Sequence, residues 1–87
     1  MSHILEQIID RYPDEESFLK ADGFDEAIIG VDQASMRLVY SVSKCIAIIE
    51  FDHNTTRTEA IEYFEFNVRG AYVGEKTPIW CEDNFDL

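Results

Sequence analysis

Eighty-seven residues suffice for one domain and leave no room for a second. Eighteen acids against seven bases give a formal charge of −11. A field of that sign repels phosphate backbones and anionic lipid, so direct nucleic-acid binding and membrane binding are both disfavoured. Apolar residues make up 46% of the chain and aromatics 13%, which supports a packed core and argues against disorder.

The periodicity of the first segment predicts a helix. Ile4, Leu5, Ile8, Ile9 and Tyr12 recur at helical spacing, with Ser2 placed to cap and Pro13 to stop. Asp14, Glu15 and Glu16 then open a short second helix, where their charges suit the positive end of the dipole; Phe18 and Leu19 give it something to bury and Gly23 ends it. Ala27 to Val31 and Arg37 to Ser41 read as strands, and the Asp32–Gln33–Ala34–Ser35 link suggests an antiparallel hairpin.

Ser41 is placed to cap a third helix, on which Val42, Cys45, Ile46 and Ile49 form an i, i+3, i+4, i+7 face. Ile48 and Phe51 add apolar surface on its other sides, so this helix is expected at the centre of the domain. Thr56-Arg57-Thr58-Glu59 matches a capping box, and the helix it opens is expected to run to about Val73, with Gly74 as its stop. Pro78 forces the chain out of helix, and Thr77 to Cys81 reads as an edge strand. The expected fold is α+β, a short antiparallel sheet of two or three strands covered by about four helices. The domain spans residues 1–81, with an acidic, flexible tail at 82–87.

Motifs that carry chemistry fail on inspection. Asp52-His53-Asn54 begins like a calcium loop, but Arg57 stands where glycine is needed and Tyr63 where the bidentate glutamate belongs. Two distant histidines and two separated cysteines do not make a zinc spacing. His53 fits the C-terminal end of a helix, where positive charge is favoured. Gly70-Ala71-Tyr72-Val73-Gly74 lacks the lysine of a phosphate loop, and no strand–turn–helix elbow marks a nucleophile. No catalytic, cofactor-binding or metal-ligating residues are expected. With no export signal and no apolar run near the roughly 20 residues that span a bilayer, a cytoplasmic protein with Cys45 and Cys81 reduced is expected.

The helix from Arg57 is the most informative element. Ala60, Ile61, Phe64, Val68 and Ala71 should meet the core at 100° per residue. Glu62, Glu65 and Arg69 fall opposite. Tyr63, Phe66, Gly70 and Val73 form a second apolar line at 3, 4, 3 spacing, flanked by Glu59 and Glu62; these residues, with Glu65, are the candidate partner-binding residues. Either the N-terminal helices cover this line, or it is an interface for a second copy or a partner. Asn67, between the two faces, reads as a polar group that fixes packing.

The run from Glu62 to Ile79, EYFEFNVRGAYVGEKTPI, resembles a small family met in phage and prophage genomes. The resemblance extends from about Gly23 and includes Gly23-Phe24, Ile29-Gly30-Val31 and Lys44-Cys45-Ile46. It implies phage origin, hence the host cytoplasm, and it brings no activity with it. The function expected is non-catalytic binding and inhibition of a host protein, in host takeover or anti-defence, by a homo-oligomer. The alternatives are an acidic nucleic-acid mimic, an oligomer that sequesters a nucleotide or other small ligand, and a small enzyme.

Overall fold

The computed structural model describes residues 3–12, 18–71 and 74–85. The helix expected at Asp14, Glu15 and Glu16 lies outside them. Helix α1, His3–Arg11, buries Leu5 and Ile8 against the sheet and leaves Ile4 and Ile9 exposed. Tyr12 follows, with its N–H donated to Ile8 O at 3.0 Å and its ring packed on the core.

A 3₁₀ turn, Asp25–Ala27, leads into β1, Ile28–Asp32, which pairs antiparallel with β2, Arg37–Ser41. The register runs from Asp32↔Arg37 to Ile28↔Tyr40, with a bulge between Ile28 and Gly30. At the hairpin tip Met36 adopts φ 54° and donates its N–H to Asp32 O at 2.7 Å. The Ser35 hydroxyl donates to the Asp32 carboxylate and holds that carboxyl below its ordinary pKa.

Strand β3, Ile79–Cys81, lies beside β2 at the edge, as Pro78 requires, but it runs parallel, with Tyr40↔Trp80 at the centre of the register. The sheet is therefore mixed and not wholly antiparallel. The connection explains this: two helices separate β2 from β3, and a crossover of that length returns the chain to the starting end of the sheet. The fold is α+β as expected, with three α-helices among the described residues where about four were anticipated.

Helix α2, Val42–His53, begins where Ser41 Oγ accepts the Lys44 N–H at 3.2 Å. Its buried residues are Val42, Cys45, Ile46 and Ile49, the face that the spacing marked. It is less enclosed than its composition suggests, since Phe51 on the outer side is 87% exposed. Asn54 ends the helix in the left-handed region at φ 53°. The capping box then forms, with Thr56 and Glu59 bonded reciprocally, and starts α3, Arg57–Tyr63. Arg57 reaches back to Glu50 at 2.9 Å, fastening α3 to α2.

In the segment expected as a tail from Glu82, Asp83 is hydrogen-bonded to the domain. Asp83 Oδ1 accepts from Ser41 Oγ at 2.7 Å and from Ser43 Oγ at 3.2 Å, at the positive end of α2. Ser41 is fully buried, so this carboxylate supplies the acceptor its hydroxyl needs. Phe85 remains 75% exposed.

Candidate functional site

After Tyr63 the chain does not continue as α-helix. Phe64–Arg69 forms a six-residue π-helix, and the helical run closes there, short of Val73, which lies outside the described residues. In the wider turn each residue advances through less than 100°, so the face assignments made for an α-helix drift. Ala60 and Phe64 are fully buried and Val68 is partly buried, as predicted. Ile61 and Ala71, placed on the same face by the α-helical count, are exposed. Asn67 is exposed too, and its Nδ2 donates to Tyr63 O at 3.3 Å, bracing the wide turn from outside. Gly70 ends it under close constraint: a Cβ there would stand 3.1 Å from Glu65 O.

Among the described residues, the second apolar line is uncovered. Phe66 is 81% exposed and Tyr63 40%, with Gly70 exposed below them. Helix α1 lies against β1 and does not shield them. The three acids divide by duty. Glu59 serves the capping box, accepting from Thr56 N at 3.2 Å and Oγ1 at 3.0 Å. Glu65 accepts from Arg69 at 3.2 Å, and Arg69 also comes within 4.0 Å of Glu82. Glu62 is exposed, with no ion pair among the described residues. Of the predicted acidic face, Glu62 is the member free to meet a partner at full strength.

Tyr63 belongs to two surfaces. His53 stands edge-on to its ring at 4.6 Å, and the ring also lines a cleft of about 280 Å³. Phe24, Trp80, Asn67, Lys20 and Asp22 help to line the same cleft. Trp80 has its ring 5.2 Å from Tyr40 and 5.4 Å, edge-on, from the buried Phe64. The indole N–H is buried without a hydrogen-bond partner. The wall at residues 20–22 is fixed by Ala21, whose N–H donates to Tyr40 Oη at 2.8 Å. Sequence reasoning missed this cleft, because Phe24 and Trp80 are brought together only through the parallel pairing of β3. A single tryptophan beside a proline in a short strand was the available signal.

The titratable groups with marked shifts are inward ones. Burial pushes the Cys45 thiol up to about 12, with the Asp83 carboxylate adding to the effect. Burial likewise lifts the Tyr40 phenol to about 12, opposed by the Ala21 N–H and assisted by Asp25 and Asp22. A thiol so raised is a packing group and a poor nucleophile. Cys45 and Cys81 are both free thiols. Among the described residues, no three histidine, cysteine or carboxylate side chains are grouped to hold a metal, and no helix is long and apolar enough to cross a membrane. No protein-family model, curated protein or solved structure matches the chain.

Proposed function

We propose that this chain is a non-catalytic binding protein that engages another protein through Tyr63, Phe66 and Glu62. In the phage setting that its Glu62–Ile79 run suggests, it inhibits a host protein. The observation that supports this reading is Phe66, 81% exposed two residues beyond the fully buried Phe64. Leaving a phenylalanine in water forgoes about 1.5–3 kcal/mol of burial, and interface cores are enriched in such aromatic anchors. Glu62 beside it favours a partner of positive charge.

The nucleic-acid mimic is less well supported, because a mimic needs a row of unpaired carboxylates, and of Glu50, Asp52, Glu59, Glu62 and Glu65 three are engaged within the chain. Homo-oligomerisation through the same face would bring together two molecules each of charge −11, which opposes it unless the apolar contact is large. Sedimentation of wild type and Phe66→Glu separates these cases. A dimer that Phe66→Glu dissociates means that the face binds its own copy. A monomer whose capture of a discrete host protein is lost in Phe66→Glu, at unchanged melting temperature, supports the binding role. Capture unaffected by Phe66→Glu sinks it.

A further inference from the structure

The cleft beside Tyr63 has the composition of a site for one cationic side chain. Three aromatic residues, Phe24, Tyr63 and Trp80, line it. Aromatic faces attract a cation through their quadrupoles, and most strongly when the site is partly withdrawn from water. At about 280 Å³ the cleft falls at the lower edge of small-molecule pockets, which run from roughly 300 Å³, and suits a single side chain better than a larger ligand.

The local charge agrees. Lys20, at the mouth, is 3.8 Å from Asp25, which offsets it. Asp22 in the same lining has no ion-pair partner among the described residues, so the cleft carries an uncompensated carboxylate. The surrounding protein, at −11, deepens that negative potential. Much of the lining is fixed in advance: the Tyr40–Ala21 bond holds one wall, and Trp80 is wedged between Tyr40 and Phe64. Among cations, a planar guanidinium matches aromatic faces and a carboxylate together, whereas a strongly hydrated ammonium resists leaving water.

We infer that this cleft receives an arginine side chain of the protein partner, its guanidinium among Phe24, Tyr63 and Trp80 and its charge met by Asp22. The inference rests on the binding role proposed above and names the chemistry of the partner. Since Tyr63 serves both surfaces, the arginine would enter beside the contact made at Phe66.

The probe is N-acetyl-arginine N-methylamide, followed by proton–nitrogen correlation NMR. Trp80 is the one tryptophan of the chain, so its indole N–H is a single, assigned reporter. The expected result is a saturable millimolar shift of that signal. The lysine analogue should be several-fold weaker and the norleucine analogue silent. Asp22→Asn should weaken binding at least fivefold, while Asp52→Asn, an equal change in net charge outside the cleft, should not. An unmoved indole signal, an equal response to norleucine, or equal weakening by both asparagine variants would each overturn the inference. Failure here is distinct from failure of the binding role. Partner capture lost in Phe66→Glu but unchanged in Asp22→Asn removes the arginine site alone, whereas indifference to Phe66→Glu removes the interface itself.

Discussion

Alkaline pH should destabilise this protein through two buried groups, and the share of each follows from its burial. In the folded chain the Cys45 thiol is raised from 9.0 to about 12 and the Tyr40 phenol from 10.0 to about 12. Raised values mean that the folded state keeps these protons after the unfolded state has lost them. Their stabilisation is complete below the unfolded values and drains away as pH climbs toward 12. Between about pH 8 and about pH 10.5, linkage gives a loss of about 2 kcal/mol from Cys45 and about 1 kcal/mol from Tyr40. Against a stability on the order of 5 kcal/mol, that is more than half. Urea titrations at both pH values under reducing conditions, on wild type and Cys45→Ala, measure the difference directly. The variant starts lower because a small cavity remains, but its own loss between the two pH values should shrink to about 1 kcal/mol. Equal alkaline losses in the two proteins would refute the assignment to Cys45.

Phe64→Ala empties a fully buried site and removes the edge contact to Trp80; about 3–5 kcal/mol should be lost, leaving much of the protein unfolded by circular dichroism. Asp83→Ala removes the carboxylate that accepts from the buried Ser41 hydroxyl, leaving it Ser43 Oγ at 3.1 Å, and should cost about 1 kcal/mol in urea unfolding, whereas an idle C-terminal segment predicts no change. Glu59→Ala should cost up to about 1 kcal/mol through the lost capping box, with Glu62→Ala neutral within about 0.5 kcal/mol; equal effects would mean that the box contributes nothing.

What could be read from the sequence was governed by local physics. Ser41 and the Thr56–Glu59 box were legible as caps because each is satisfied within four residues. The Val42, Cys45, Ile46 and Ile49 face followed from a regular α-helical period. Beyond Tyr63 the same arithmetic failed for Ala71, since the π-helix changes the angle per residue and nothing in the string FEFNVR announces it; Ile61 lies within α3 and is exposed although its period is regular. Strand β3 was located but its direction was not, because direction is set by the whole crossover. The candidate face was legible in part: Phe66 stands out in water as the second apolar line implied, while the internal duties of Glu59 and Glu65 were hidden in side-chain geometry. Asp83 was read as one charge of a tail, because its partners lie about forty positions away.

The docking of β3 also orders events in time. Helices α2 and α3 can form and pair from neighbouring sequence, but Trp80 reaches Tyr40 only after a loop of about forty residues has closed. The entropy of closing such a loop is on the order of 3 kcal/mol, owed before any contact of β3 returns it. Arg37, which donates to Thr77 O at 2.6 Å, and Lys76, which donates to Ser35 O at 3.0 Å, span about the same forty positions, so they form as the loop closes and then fasten the hairpin to the segment entering β3. Until β3 arrives, Phe64 has no indole to meet and the buried end of α2 lacks its carboxylate. The helical hairpin and the Phe66 face can therefore exist before the cleft does, and a partner that meets the chain early would find the first surface without the second.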